Sequence, residues 1–276
     1  MRDFLEDAHA HRQDGMGRAQ AADKAPLMRR FYANATFEPQ DGAYAVLLDG
    51  RPIKTPGGKT VRVPTPELAD ALAREWDRQS AEINFQHMPI VRLAHSAIES
   101  GPESAPAFRD EIAKYAGNDL LLYRADTPES LVAEQERAWD PVLVALARHF
   151  GVKFQPTVGI IHQPQPTATL ERLASTLDAE DHLALTALMQ MVSLTGSALL
   201  VIAHRHGLID PDTVWTAAHV DEDHNIRLWG GDDFAERRRR DRQIEFRAAL
   251  AMLEALAGRH TEAVNPLATA PGPAGA

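Results

Sequence analysis

The 276-residue chain contains no cysteine. That absence excludes thiol catalysis, disulfide bonds and every zinc or iron–sulfur site that depends on thiolates, and it fits a reducing compartment. Long apolar runs are missing as well. A bilayer span needs about 20 consecutive apolar residues, and the most apolar stretch, 183–203, is interrupted by Thr186, Gln190 and Gly196. We therefore predict a buried core helix there and no stable membrane insertion.

The chain also lacks a basic excess. Its 29 Lys and Arg residues face 39 Asp and Glu residues, which gives a net charge of −10. Nucleic acids and anionic membranes bind surfaces that are net basic, so neither is an expected partner. The first residues carry acids and no apolar signal region, so we expect no targeting segment.

A nucleotide-binding loop is missing, although part of its pattern is present at Gly58-Lys59-Thr60. A P-loop requires glycine where this chain has Ile53, and it requires a helix where Val61-Arg62-Val63 is typical of a strand. Asp49-Gly50 between two alternating apolar runs instead predicts a tight hairpin turn. With Gly57-Gly58 forming the next turn, this segment is predicted to be a three-stranded meander.

The order of predicted elements favours an α+β fold. A small β-rich domain with a packed helix is predicted over 27–103, and a mostly α-helical domain over 104–260. Residues 1–26 are predicted to be a mobile arm. Residues 261–276 are rich in Ala, Pro and Gly and are predicted to be disordered.

Within these domains, helix caps, prolines and periodic apolar residues locate the individual elements. Leu68, Leu72 and Trp76 recur every four residues, which predicts that one stripe of the first helix faces the sheet. Strands are predicted over 31–33, 43–48, 51–55 and 60–63. Helices are predicted to begin near Thr65-Pro66, Pro89, Ser104, Thr127-Pro128 and Asp140-Pro141 (the last ending at Gly151), and to cover 167–177, 180–206, 212–218 and 232–257.

Histidine and carboxylate residues are dense between His219 and His224. One hypothesis is a metal-dependent hydrolase that uses His219, Asp223 and His224, because residues four apart share a helix face. No H-E-x-x-H motif is completed, so a charged loop or helix end is the alternative.

Three further features have plain structural explanations. Ser197 lacks the second glycine of a nucleophile elbow, and we interpret it as a small residue for helix packing. The run Arg237 to Arg240 lies among acids, which predicts a salt-bridged, solvated helix face, with an acidic partner surface as the alternative. The tryptophans at 76, 139, 215 and 229 are each predicted to be packing anchors.

Several motifs occur together in one order between about residues 29 and 233. They are Arg30-Phe31-Tyr32, Leu48-Asp49-Gly50-Arg51-Pro52-Ile53-Lys54-Thr55-Pro56, Glu75-Trp76-Asp77-Arg78-Gln79, Met88-Pro89, Asp119-Leu120-Leu121-Leu122-Tyr123-Arg124, Trp139-Asp140-Pro141, and Asp221-Glu222 followed by Trp229-Gly230. In this order the chain resembles the F-type ATP synthase assembly chaperones of the Atp-twelve type.

We expect a monomer without enzymatic activity, cofactor or metal, and the resemblance implies a transient chaperone that does not hydrolyse ATP. It would bind the unassembled α subunit of the catalytic head until a β subunit replaces it, in the bacterial cytoplasm or the mitochondrial matrix of eukaryotic relatives. The family's acidic pair maps onto Asp221 and Glu222, and with Trp229 these are the expected client-binding residues. The motif residues Asp49, Gly50, Arg51 and Trp76 are expected to be structural. Asp223-His224-Asn225 departs from the aromatic residue that relatives often carry after the acidic pair.

Two other classes remain open at this stage. One is the metal-dependent hydrolase described above. The other is a permanent structural subunit of the ATP synthase.

Overall fold

The computed structural model describes residues 27–258. The arm predicted over 1–26 and the tail predicted over 261–276 lie outside this range. The described chain forms a mixed α+β fold in which small sheets come first and helices dominate afterwards, as predicted.

The described residues contain eight short strands and ten α-helices. The strands are β1 (Met28–Arg29), β2 (Ala35–Gln40), β3 (Ala43–Leu48), β4 (Arg51–Pro52), β5 (Arg62–Val63), β6 (Glu82–Ile83), β7 (Tyr123–Arg124) and β8 (Thr157–Val158). The helices are α1 (Pro66–Asp77), α2 (Pro89–Ser100), α3 (Ala105–Gly117), α4 (Glu129–Phe150), α5 (Thr167–Ser175), α6 (His182–Thr195), α7 (Ala198–Arg205), α8 (Pro211–Ala218), α9 (Val220–Trp229) and α10 (Asp233–Leu256). None of these helices is both long enough and apolar enough to cross a bilayer.

The predicted hairpin forms at Asp49-Gly50. Strands β3 and β4 pair antiparallel with Leu48 opposite Arg51. Asp49 has φ 48° and Gly50 has φ 75°, and both positive values are what a two-residue hairpin turn requires. β5 then pairs with β3, so the strand expected after Lys59 is confirmed.

The strand predicted over 31–33 is wrong. β1 lies just before it and pairs with β6, whereas β2, which the sequence analysis missed, pairs with β3 along its whole length. The Asp49 carboxylate explains the irregular segment between β1 and β2, because it accepts hydrogen bonds from the backbone amides of Ala33 and Asn34. Those amides are satisfied without a strand partner.

Helix α1 packs its predicted stripe against the sheet of β2, β3 and β5. Thr65 caps the helix by accepting a hydrogen bond from the amide of Leu68, and Pro66 occupies the first position, where its missing N–H costs nothing. Leu68, Leu72 and Trp76 are all buried.

No new helix begins at Asp140-Pro141, contrary to the prediction. Helix α4 continues through Pro141 to Phe150 and is capped by Gly151. Trp139 and Val142 on either side of the proline are buried in the core, and this packing stabilises a helix that proline alone would interrupt.

The single helix predicted over 180–206 is two helices. Gly196 adopts φ 70°, a left-handed conformation that ends α6. Ser197 then caps α7 by accepting from the amide of Leu200, and its hydroxyl donates to the buried carboxylate of Asp119. Ser197 is therefore a helix cap, rather than a residue chosen only for small size.

One hydrophobic core runs through both parts of the chain. Helix α10 packs on α1, α2 and α6. The Thr65 hydroxyl donates to the carbonyl of Ala255 at 2.9 Å, and Arg92 of α2 forms an ion pair with Glu245 of α10. The division near residue 103 stays a prediction, and the two regions share their packing.

Candidate functional site

Residues 220–229 form helix α9, where the sequence analysis expected a loop or a helix end. Asp221 lies half-buried in its first turn, and its carboxylate accepts a hydrogen bond of 2.8 Å from the side-chain amide of Gln135 in α4. Gln135 is itself buried, and its amide oxygen accepts from the backbone of Ala125. Asp221 is thus held in place by the fold.

Glu222 is one-third exposed. Arg239 and Arg242 of α10 lie close enough to interact with it electrostatically. Arg239 also forms an ion pair with Asp223. These arginines belong to the next helix of the chain, and the ion pair from Arg239 to Asp223 joins that helix to α9. Glu222 nevertheless keeps part of its carboxylate surface open to a partner.

The hydrolase hypothesis requires His219, Asp223 and His224 to share one site, and the structure separates them. The His219 ring is buried against Trp215 and bonds through Nδ1 to the carbonyl of that residue at 2.7 Å. His224 turns its Nδ1 toward Glu134 instead, while Asp223 is paired with Arg239. Between residues 27 and 258, no group of three or more metal-ligating side chains converges.

Trp229 is 83% exposed, so the prediction that it is a packing anchor is wrong. Trp76, Trp139 and Trp215 are buried, as predicted. Trp229 ends α9 next to a cleft of about 450 Å³ between α9 and the start of α10. Leu228 and Phe234 are exposed at the same helix–helix connection.

The arginine run forms the salt-bridged, exposed helix face that was predicted. Arg239 pairs with Asp223, and Arg240 pairs with Glu236 one turn earlier at 3.5 Å. Arg238 lies over the ring of Phe234 with its guanidinium carbon 5.9 Å from the ring centre.

The loop that partly matches a P-loop has no open cradle for phosphate. The Lys59 ammonium donates to the carbonyls of Ile98 and Glu99. The amide of Gly57 donates to the carboxylate of Glu99 at 2.6 Å. The lysine is therefore engaged, and a carboxylate lies where a phosphate would need amide donors.

The remaining motif residues meet around Trp76. Its ring makes edge contacts with Tyr32 and Phe85, at 5.8 and 5.7 Å between ring centres. The Tyr32 hydroxyl donates to the backbone carbonyl of Trp76 at 2.6 Å. Asp49 and Arg51 line a cleft of about 520 Å³ beside this cluster, and the amides of Asn34 and Ala33 hold the pKa of the Asp49 carboxyl below its usual value.

Two buried carboxylates were not identified from the sequence. Glu75 accepts hydrogen bonds from the amides of Ile90 and Val91 at the start of α2. Asp119 accepts from Ser197 and from the amides of Leu199 and Leu121. Both acids belong to motifs quoted above, and an acid inside an otherwise apolar motif is the signal that could have revealed them.

The described surface therefore offers an exposed aromatic residue beside partly open acids, while His219 is buried and His224 lies against Glu134. An exposed aromatic residue beside a cleft is typical of a protein-binding surface.

Comparison with known proteins identifies the family. Residues 29–147 match the family model described as ATP12 chaperone protein. A crystal structure of Atp12 from Paracoccus denitrificans is 36% identical, with a TM-score of 0.78, and the match covers 83% of this chain and 98% of that one. The chain belongs to the ATP12 family of chaperones for ATP synthase assembly.

Two other relatives extend the comparison. A crystal structure of the Atu1473 protein from Agrobacterium tumefaciens is 39% identical with a TM-score of 0.81, and the match covers 93% of this chain and 97% of that one. The mitochondrial atp12 protein of Schizosaccharomyces pombe is 27% identical over 217 residues, covering 74% of this chain and 75% of the relative. The family model ends at residue 147, whereas the Agrobacterium match spans enough of the chain to include much of the helical region that carries α9.

Proposed function

We propose that this protein binds the unassembled α subunit of the F-type ATP synthase catalytic head. It shields the subunit-facing surface of α until a β subunit takes its place. Family membership supports the assembly role. The proposed client-binding surface rests on one observation. Trp229 is exposed at the end of α9, the helix that also contains Asp221 and Glu222.

The size and apolar character of subunit interfaces explain why an unassembled α subunit would need such a partner. Obligate subunit interfaces bury about 2,000–5,000 Å² and are more apolar than ordinary surface. An α subunit without its neighbours exposes that surface and is prone to aggregate. A chaperone must cover it and still be displaced. Acidic residues suit this task because they add specificity and association rate more than affinity.

The protein acts by binding and not by catalysis. The dispersal of His219, Asp223 and His224 supports this over the hydrolase hypothesis. Metal analysis of the purified protein distinguishes the chaperone from the hydrolase, because stoichiometric, tightly bound zinc, manganese or iron would favour the hydrolase.

We further propose that the protein is a monomer that binds its client transiently, in the bacterial cytoplasm or the mitochondrial matrix. Permanent residence in the assembled complex would instead identify a structural subunit.

The direct test is co-expression of the α subunit alone, with or without this protein. We expect soluble α to increase when the wild-type chaperone is present. Glu222→Lys should lose most of this protection, with a slower association that is most evident at low salt. The new cation would lie near Arg239 and Arg242, so Glu222→Gln is made in parallel to remove the charge without adding repulsion.

Glu171→Lys provides the matched control, because Glu171 is an exposed acid on α5, a helix that packs on α3. An unchanged melting temperature with failed protection would support the Glu222 surface. Full protection by both Glu222 variants would exclude it, and the Arg237 to Arg240 face would be tested next.

A further inference from the structure

Three large apolar side chains are exposed at the connection between α9 and α10. Leu228, Trp229 and Phe234 expose 57%, 83% and 65% of their surfaces. Single exposed apolar residues are ordinary, but a cluster of them next to a cleft is typical of a binding surface. Trp is also the residue type most enriched among those that dominate binding energy.

The adjoining cleft is acidic. Its volume is about 450 Å³, and Glu222 and Asp232 lie on its wall together with Asn225, Ile226 and Trp229. None of the described residues that line it is basic. The nearby arginines have partners inside the protein: Arg227 pairs with Glu134, Arg239 pairs with Asp223, and Arg242 donates to the carbonyl of Leu194. Arg239 and Arg242 also attract Glu222, whose side chain stays one-third exposed. The lining therefore favours a ligand that combines apolar surface with positive charge.

The cleft is built before a ligand arrives. The ion pair between Arg227 and Glu134 ties α9 to α4, and the pair between Arg239 and Asp223 ties it to α10. Asp232 caps α10 by accepting a hydrogen bond from the amide of Ala235 at 2.8 Å. Because these contacts fix both walls, a ligand would not have to order them, and less of its binding energy would be lost on ordering.

We propose that this cleft receives a large apolar side chain of the client that is flanked by a lysine or arginine. Trp229 packs on the apolar side chain while Glu222 and Asp232 pair with the cation. This inference rests on the proposed function and names the chemistry that the chaperone recognises in its client.

A second copy of the chain is a less favourable occupant. In a two-fold symmetric contact the same patch faces itself. Glu222 and Asp232 of one copy would then lie near the same acids of the other. Like charges at an interface are destabilising, so the acidic lining favours a basic client over self-association.

The test uses the purified full-length protein and the isolated α subunit, with aggregation of α followed by light scattering while the chaperone is titrated. Trp229→Ala is expected to raise the chaperone concentration needed for half-protection roughly tenfold or more. Ile160→Ala is the matched control, because Ile160 is 95% exposed on a different segment. Its titration should equal that of the wild type.

The charge requirement is tested with the double variant Glu222→Gln and Asp232→Asn. Asparagine caps a helix about as well as aspartate, so α10 should stay intact, and equal melting temperatures verify this. We expect the double variant to lose affinity at 50 mM salt and to approach the wild type at 500 mM, where screening removes the charge contribution. Loss of binding in both variants supports the proposal.

Three results would overturn it. If the wild type protects α and Trp229→Ala protects it equally, the cleft is not the client site, although the proposed function stands. If only the double variant is unaffected, the cation is not recognised. If light scattering of the chaperone alone shows a dimer that Trp229→Ala dissociates, the patch is a self-interface. Failure of the wild type to protect α would instead reject the proposed function itself.

Discussion

At the scale of single residues, Trp76 joins three elements of the N-terminal region. Its side chain lies on α1, is 5% exposed and contacts the rings of Tyr32 and Phe85. Its carbonyl accepts the Tyr32 hydroxyl. The ring therefore fixes the segment before β2 and the turn before α2 against the same helix.

Replacing Trp76 by arginine should destabilise the protein severely. The substitution removes a large buried ring and places a charge against the rings of Tyr32 and Phe85, which cannot neutralise it. A loss of roughly 3–5 kcal/mol is expected, and the variant should accumulate in the insoluble fraction on expression. Trp76→Phe keeps an aromatic ring in the same place and serves as the milder comparison. An unchanged melting temperature for the arginine variant would contradict the packing role.

Glu75, the neighbour of Trp76, is a buried acid with an unusual proton affinity. Burial raises the pKa of Glu75 to about 7, against the hydrogen bonds from the Val91 and Ile90 amides and the charge of Arg92, which lower it. The folded pKa exceeds the unfolded value, so the folded state binds this proton more tightly. The contribution to stability is therefore fully present below about pH 4.5 and is lost as pH rises through about 7.

Glu75→Gln should reveal this dependence. Glutamine cannot ionise, and its NH2 group cannot accept the second backbone hydrogen bond, so one of the Ile90 and Val91 amides loses its partner at a cost of about 1–3 kcal/mol. The variant should be less stable than the wild type at pH 5. The difference in free energy of unfolding between the wild type and the variant should narrow by up to a few kcal/mol by pH 8, because only the wild type loses stability when Glu75 ionises. Urea unfolding at both pH values measures this, and a gap that widens with pH would show that the folded pKa of Glu75 is not raised.

At the scale of elements, local signals predicted the hairpin and the first helices well. Asp49-Gly50 and Thr65-Pro66 each determine their structure through residues within one turn of chain, and such signals are visible in a sequence. The break at Gly196 was missed because the apolar pattern continues on both sides of Thr195-Gly196-Ser197. At Pro141 the sequence predicted a helix start where there is none, because the packing of Trp139 and Val142 stabilises a continuous helix.

The candidate site was only half predictable for a related reason. The family motif located Asp221, Glu222 and Trp229. The arginines that approach the acids come from α10, and the amide that holds Asp221 comes from Gln135, 86 residues earlier. Contacts between distant elements leave no local pattern. The exposure of Trp229 was missed because the usual fate of tryptophan is burial.

The turn between Thr55 and Thr60 should bind no nucleotide. Lys59 donates to two carbonyls at the end of α2, and Glu99 places a carboxylate against the Gly57 amide, so an entering phosphate would meet negative charge. β5 follows the turn and brings no helix N-terminus to the site. Titration calorimetry with magnesium–ATP should therefore show no saturable heat. Micromolar binding that Lys59→Met abolishes would contradict this.

At the scale of the whole molecule, the β-rich and helical regions share one core. Helix α10, the last in the described chain, packs on α1 and α2 from the first region and on α6 from the second. The hydrogen bond from Thr65 to Ala255 spans 190 residues. Part of the packing of α1 and α2 is thus completed only when α10, the last helix of the described residues, is in place.

We therefore expect the two regions to unfold together although their composition differs. A core that crosses the boundary makes each region lose its packing when the other melts. Two signals test this during urea unfolding. Far-ultraviolet circular dichroism reports mainly the helical region, and the fluorescence of Trp76 reports the N-terminal region in a variant with Trp139, Trp215 and Trp229 changed to Phe. We expect the two transitions to coincide. Arg92→Ala removes the ion pair with Glu245 and should shift both transitions equally, whereas Glu171→Ala, at an exposed site on α5, should shift neither. If the Trp76 signal changes at a lower urea concentration than the helical signal, or if a 27–103 fragment folds alone, the N-terminal region is an independent domain and the contacts of α10 merely dock it.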